Sequence, residues 1–327
     1  MVAKRSLRKQ RKRKRKKRLF IALIFLLFIT SLSYVGYEYM MGKQESQNKV
    51  SGDEGSEVSL SDMSSKYKDE FKGVDNNDGK TNVLVLGVDQ RENETPRSDT
   101  IMIAQYDENG ETAKVASLMR DMYVNIPGHG YNKLNAAFAF GGPELMRQTI
   151  KENFGVDVEY YAIVDFNGFT QIVDTLAPNG VEVNIEKNMQ YKAGDTNIDL
   201  KQGTQSLDGE ELLGYARYRS DSQGDFGRVE RQQKVIKLLK DELVSFSGVM
   251  KAPRLMGTLQ PYVDTNIGSG KYLNLGKDFI FNPVNNIDTF NLPTEDNVWN
   301  ARMPYPVGLV LQHDEQKSAE DLQEFLQ

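Results

Sequence analysis

The chain opens with a basic run joined directly to an apolar one, and no other feature limits its folding so strongly. Residues 1–18, MVAKRSLRKQRKRKRKKR, hold 12 of the 41 Lys and Arg and none of the 46 Asp and Glu. LFIALIFLLFITSLSYVGYEYMM then runs from Leu19 to Met41, uncharged as far as Val35, with Tyr34, Tyr37 and Tyr39 at its end. A helix crossing a bilayer needs about 20 mostly apolar residues, so 19–41 is read as a transmembrane signal-anchor helix ending in an interfacial tyrosine belt. Lys and Arg remain on the cytoplasmic side. The expectation is therefore a cytoplasmic tail over 1–18, a single-pass type II topology at the cell membrane, and an extracytoplasmic C-terminal part. The basic run is read as a membrane flank and not as a nucleic-acid arm, because it abuts the apolar span. No small-residue cleavage site closes that span, which favours a retained anchor over a removed signal peptide.

Past the tail the charge reverses: 29 Lys and Arg face all 46 Asp and Glu. Residues 42–80 are rich in Ser, Gly and Asp and lack apolar periodicity, so they read as a flexible extracytoplasmic stalk. The sequence contains no cysteine. Disulfides, thiolate metal sites and cysteine nucleophiles are thereby excluded, as suits an exported Gram-positive domain held by its core alone.

From Asn82 the pattern changes. NVLVLGVD is a nearly continuous apolar run, as expected of a buried strand. TIMIAQYD and TAKVASLM follow as strands around the turn signal DENG, Asp107 to Gly110. GGPELMRQTIKENF reads as a helix with Pro143 in its first turn and Leu145, Ile150 and Phe154 on one face. YYAIVDF, FNGFTQIVDTL and VEVNI read as strand, helix and strand, and the C-terminal 40 or so residues as the edge of the same domain. Mixed strands and helices in this order imply a layered α/β domain.

Serine-hydrolase, zinc-protease and P-loop patterns are absent, and His129 and His313 are the only histidines. What remains is acid and arginine. Asp89 ends the first strand and Asp99 opens the second, which suits either turn capping or a hard cation held by a few carboxylate oxygens. GYARYRSDSQGDFGRVERQQ gathers Arg217, Arg219, Arg228 and Arg231. Arg217 and Arg219 share a side if extended and diverge if helical. Behind them the stripe Val235, Ile236, Leu239 and Leu243 continues backwards to Gln232 and Arg228, which turns those two inward. A buried guanidinium requires a partner, and its fork of donors matches phosphate in a way that lysine does not. Arg231 and Lys237 read as solvated. Arg120 and Asp121 close another strand.

These segments together resemble the LytR-CpsA-Psr family of bacterial envelope proteins. The resemblance rests on NVLVLGVD with RSDT, on SLMRDMYVNIPG, NKLNAAFAFGG and VDFNGFTQIVDTL, and on LDGEELLGYARYRSDSQGDFGRVERQQ. It implies a catalytic domain over 81–327, an α-β-α layered fold around a central mixed sheet. It also implies a phosphotransferase that moves a teichoic acid-like wall glycopolymer from a polyprenyl-pyrophosphate carrier to peptidoglycan. Asp89 and Asp99 would bind Mg²⁺ (or Mn²⁺), and Arg97, Arg120, Arg217, Arg219 and Arg228, with Gln232, the pyrophosphate. Asp225 and Asp121 are the carboxylates available as a base. The lipid is expected in an apolar tunnel between sheet and helices, for which Phe138, Phe140, Phe166 and Phe169 are candidates, with core packing the commoner role for any one of them. Two alternatives stand beside the transferase: a non-enzymatic membrane-bound attenuator of envelope and resistance genes, and a polyprenyl-pyrophosphate phosphatase.

Overall fold

In the computed structural model, residues 30, 33–48, 67–75, 78–89, 97–107, 112–193, 196–221, 223–259, 261–268, 270–271, 284 and 286–327 are described. The basic tail, most of the predicted span, the middle of the stalk and the DENG turn lie outside them. Among the described residues no helix is long and apolar enough to cross a membrane.

The apolar runs form one mixed six-stranded sheet. Its strands are β1 (Lys80–Asp89), β2 (Arg97–Asp107), β3 (Thr112–Leu118), β6 (Tyr160–Asp165), β11 (Val263–Thr265) and β12 (Ile287–Leu292), in the order β11-β6-β1-β2-β3-β12. β1 lies antiparallel to β2 and parallel to β6. Alternation gives the sheet two faces. Leu84, Leu86, Val88, Ile101, Ile103, Tyr161 and Ile163 bury one face in the main core. The helices α1 (Leu134–Phe154) and α6 (Glu315–Leu326) supply Met146, Ile150, Phe154, Leu322 and Leu326 to that core. α1 is broken at Gly141 and Gly142, so Pro143 does begin a new helical turn.

On the other face lie α2 (Phe166–Leu176) and α4 (Gly224–Val244). With α3 (Gly209–Arg217) and the hairpin-like pairs β7 (Val181–Ile185) with β10 (Gly203–Leu207) and β8 (Met189–Ala193) with β9 (Thr196–Leu200), they enclose a second cluster around Val173, Val183, Leu212, Tyr215 and Val235. Local chemistry fixes these helix starts. Asp165 caps α2 by accepting from Gly168 N (2.6 Å), and Asp208 with Glu211 forms a capping box on α3. The layered α-β-α order expected from the sequence is thus present.

Two boundaries differ from the expectation. Residues 33–48 are helical across the predicted limit of anchor and stalk, and they pack on α5 (Phe246–Leu259). Glycines make that approach possible: a Cβ on Gly42 would stand 2.1 Å from Arg254 O, and one on Gly257 2.1 Å from Tyr39 O. Glu45 adds an ion pair to Arg254 at 2.7 Å. Further on, Phe71 belongs to the main core, with Phe71 and Tyr161 rings 4.9 Å apart. Close backbone approach with an ion pair decides the first case and aromatic packing the second, and the polar composition had hidden both.

The C-terminal residues are more than an edge. β12 completes the sheet, β13 (Trp299–Arg302) and β14 (Leu309–Gln312) form a hairpin, and α6 closes the core. Leu322→Ala should therefore cost ~2–5 kcal/mol, measured by urea titration with circular dichroism. A loss below ~1 kcal/mol would mean that α6 is peripheral.

Candidate active site

The C-terminal ends of β1 and β6, the start of β2 and the residues after β3 meet at one end of the sheet. Val88 pairs with Asp165, Asp89 with Arg97, and Ile101 with Leu118. The ladder is irregular here: Gly87 pairs with Thr100 but Val88 with Ser98, so Asp99 is the extra residue of a β-bulge. A bulge re-aims a side chain out of the pleat. Asp99 is accordingly part-exposed at the rim, between the buried Ser98 and Thr100. Gly87 is needed for this arrangement, since a Cβ there would come within 2.9 Å of Thr100 Cβ.

Two arginines contact Asp99, and two further polar groups stand beside them. Arg120 Nη1 donates to its Oδ1 in a very short contact. Arg228 Nη2 donates to its backbone oxygen (3.3 Å) and pairs with Asp225 Oδ2 (3.0 Å). Gln232, one turn along α4, donates to Thr100 Oγ1 (3.0 Å). Asp121 joins from behind Arg120, with its Oδ2 3.4 Å from Arg120 Nε and its Oδ1 2.8 Å from Lys133 Nζ.

The electrostatics are those of an anion site. Arg228 is 4% exposed, and burial, then the charges of Arg120 and Arg219, hold its guanidinium below the ordinary range despite Asp225 and Asp99. Burial opposes the charge of Arg120 too, but Asp99 and Asp121 overcome it and raise that group. The buried Nε–H groups of Arg120 and Arg228 have no hydrogen-bond partner among the described residues. Buried donors of this kind require an acceptor. A phosphate group would supply one and relieve the repulsion between guanidiniums.

The predicted residues divide accordingly. Asp99, Arg120, Asp225, Arg228 and Gln232 come together, with Arg219 exposed but close enough to act on Arg228. Arg217 is the last residue of α3, so it and Arg219 are not a simple extended pair; Arg217 lies over the Phe166 ring at 4.1 Å. That places it beyond β6 on the same rim. The backbones of Asp89 and Arg97 face one another across the ladder, while their side chains lie outside the described set. Thr100 and Lys133 are additional, and only pairing across the sheet and the β4–β5 hairpin (Tyr123–Ile126 with Gly130–Lys133) brings them in.

Arg231 corrects the expectation of a solvated side chain. It is 5% exposed, pairs with Asp221 Oδ2 at 3.1 Å, and donates to Tyr218 O. α4 packs on both sides, so its stripe is wider than the sequence period suggested. Of the aromatic candidates, Phe138 takes the core-packing role and Phe140 takes neither role. Phe138 sits in the main core on the opposite face of the sheet, and Phe140 is 48% exposed, stacked on His129 at 4.6 Å. Phe169 does pack under α4 in the second cluster.

Behind the rim, an apolar strip continues along the second face of the sheet through Val83, Val85, Ala104, Ala162 and Val164. All are part-exposed although helices cover that face, and Val85, Ala104 and Ile236 of α4 pack against the buried cluster of Met102, Val115, Val284 and Ile287. This strip of small apolar side chains reaches Gly87 and its ladder partner Thr100, beside Asp99.

A family model described as the LytR_cpsA_psr family matches residues 34–324. The "Regulatory protein MsrR" of Staphylococcus aureus is 45% identical over 228 residues, 70% of this chain and 69% of that protein. The "Polyisoprenyl-teichoic acid--peptidoglycan teichoic acid transferase TagU" of Oceanobacillus iheyensis is 37% identical over 230 residues, 67% of this chain and 69% of its own. A solved structure of Bacillus subtilis YwtF (TagT) with bound octaprenyl pyrophosphate lipid superposes with a TM-score of 0.55 and 28% identity, covering 78% of this chain and 93% of that one.

The Arg231–Asp221 pair holds the segment that carries Arg219. Burial alone would raise the Asp221 carboxyl, but hydrogen bonding to Lys187 and the charge of Arg231 outweigh it and depress the group. Its stabilisation is therefore present above the ordinary carboxylate range and is lost as pH falls through the depressed value. Asp221→Asn should cost about 3 kcal/mol near neutral pH. In thermal melts across an acid series the gap from wild type should narrow; a gap independent of pH would contradict this pairing.

Proposed function

Since this chain belongs to the LytR-CpsA-Psr family, we propose that it is a phosphotransferase moving a teichoic acid-like wall glycopolymer from a polyprenyl-pyrophosphate carrier to peptidoglycan. The observation that carries the proposal is the rim itself. Buried Arg228 and part-exposed Arg120, each with a buried Nε–H that no described residue accepts, flank Asp99 where the apolar strip of the sheet reaches the rim. A pyrophosphate with a long isoprenoid tail has the matching two halves, one anionic and one apolar. TagT, whose solved structure holds octaprenyl pyrophosphate, shares the fold and 28% of the aligned sequence.

In this reading Arg120 and Arg228 grip the pyrophosphate, with Arg217, Arg219, Arg97 and Gln232 placed along the same rim. A sugar hydroxyl of peptidoglycan attacks the glycan-proximal phosphorus. A new P–O bond forms, the bond to the bridging oxygen breaks, and polyprenyl phosphate leaves with the electron pair. The hydroxyl proton passes to a carboxylate. Asp225 suits that role better than Asp121, which Lys133 and Arg120 both engage. Positioning and charge neutralisation dominate phosphoryl transfer, so preformed guanidiniums contribute most of what the reaction needs. Mg²⁺ (or Mn²⁺) fits the donor set, because Asp99 is aimed outward by the bulge and Asp89 ends the neighbouring strand, an all-oxygen pair suited to a hard cation. Such an ion would neutralise charge on the pyrophosphate when bound.

The name of the staphylococcal relative favours a second reading, a membrane-bound regulator without catalysis. The two separate in one experiment. Arg228→Ala and Asp99→Ala should each lower transfer of labelled glycan from a polyprenyl-pyrophosphate donor ~10²–10³-fold, and Arg228→Lys should recover little of it because the fork is lost. A regulator instead predicts that these variants still rescue a deletion strain. Full transfer by Arg228→Ala would overturn the assignment of the site.

A further inference from the structure

The β13–β14 hairpin has no part in the transfer chemistry, yet its turn is the most exposed apolar feature of the described surface. Val307 N donates to Pro304 O (3.1 Å) and Met303 N to Gly308 O (2.8 Å), which closes a tight turn. At that turn Tyr305 is 97% exposed, and Leu309 just beyond it is 57% exposed. MPYPVGLVLQ, from Met303 to Gln312, contains no charge in a chain whose residues are 27% charged. Exposed apolar clusters of this kind mark contact surfaces.

Its place in the fold indicates the partner. Leu311 N donates to Asp121 O (2.8 Å), and Leu311 bridges Met122 in parallel. β14 therefore runs beside the chain from Asp121 into β4, and the turn before it is carried past Asp121, on the side away from β4. The helix over residues 33–48 points to the same end of the sheet. Gly257 meets Tyr39 and Lys43 while Arg254 meets Gly42 and Glu45, so this helix runs antiparallel to α5. The end of α5 leads through Tyr262, packed on Gly168, to Val263 beside Val164, at the rim. The N-terminal end of the 33–48 helix, where the predicted span joins, thus leaves the domain on the rim side.

We propose that the tip of the β13–β14 hairpin, centred on Tyr305 and Leu309, docks into the lipid interface and seats the mouth of the site on the bilayer. Tyrosine is a residue of membrane interfaces, and a few apolar side chains contribute useful binding when an anchor already holds the protein at the surface. Arg302, exposed at the base of the tip, is placed to meet lipid phosphates. The proposal rests on the reading of the chain as membrane-anchored with a lipid-borne donor.

Trp299 is the only tryptophan, which permits a direct test. Full-length protein carrying Trp299→Phe and Tyr305→Trp is reconstituted in vesicles of phosphatidylcholine and phosphatidylglycerol, with or without bromine on the acyl chains. The reporter should lose more than half of its emission in brominated vesicles, whereas Trp299 in the wild-type protein should lose far less. Unchanged emission would overturn the proposal, as would an equal loss at both positions; protection of the reporter by soluble glycan in place of lipid would likewise overturn it and mark the tip as an acceptor contact. Tyr305→Asp with Leu309→Asp should slow transfer from a long-chain donor in vesicles about tenfold and leave a short-chain soluble donor unaffected. If wild type used neither donor, the transferase reading would fail while the quenching result still decided the hairpin's role.

Discussion

A guanidinium removed from water must be paid for by partners, and the structure around Arg228 is arranged to meet that requirement. Asp225 neutralises it from one turn earlier on α4, and the backbone oxygen of the bulged Asp99 accepts from its fork. Arg120 crosses to the Asp99 carboxylate and is itself backed by Asp121 and Lys133. Arg120 and Lys133 share Asp121, so the carboxylates do not cancel the group of cations. Burial and mutual repulsion therefore leave Arg228 with an incomplete set of acceptors. That residue of unsatisfied donors is what a pyrophosphate would complete.

The fold supplies the rigidity that such a balance needs. β1, β2, β3 and β6 end together, so groups distant in sequence are fixed by backbone ladders and not by long flexible side chains. α4 lies over them and touches all three apolar clusters, through Val229, Val235 and Ile236. Moving Arg228 by a fraction of an ångström would disturb each of them. Protein interiors resist such adjustments because they are packed to crystal-like density. The second face of the sheet differs, in that its strip of small apolar residues stays part-exposed under the helices.

Much of this was legible in the linear sequence. FNGFTQIVDTL is helical from Phe166 to Leu176 as its pattern implied, and NVLVLGVD, YYAIVDF and VEVNI fall in strands. The inward turn of Arg228 also followed from continuing the stripe of α4 backwards. Arg231 did not follow, because a single helical period describes packing on one side and α4 is packed on several. The separate fates of Phe138, in the core, and Phe140, exposed, were not legible for a related reason: aromatic character does not tell which face of a sheet a side chain reaches. The continuation of the first helix through residues 42–48 and the docking of Phe71 were lost in polar composition, although glycine contacts and one aromatic ring hold them to the domain.

What the sequence determined by itself is chemistry with a local cause: the alternation of strands and helices, the helical turn begun at Pro143, and a gathering of arginine in an acidic domain. These depend on neighbours within a few residues, where side-chain type sets the outcome. Only the tertiary structure decided which of those arginines meet. The bulge that turns out Asp99, the glycine at position 87 that admits Thr100, and the ladder that sets Arg120 opposite both are relations between strands. Such relations arise from register and close packing across the sheet, which no single stretch of chain contains.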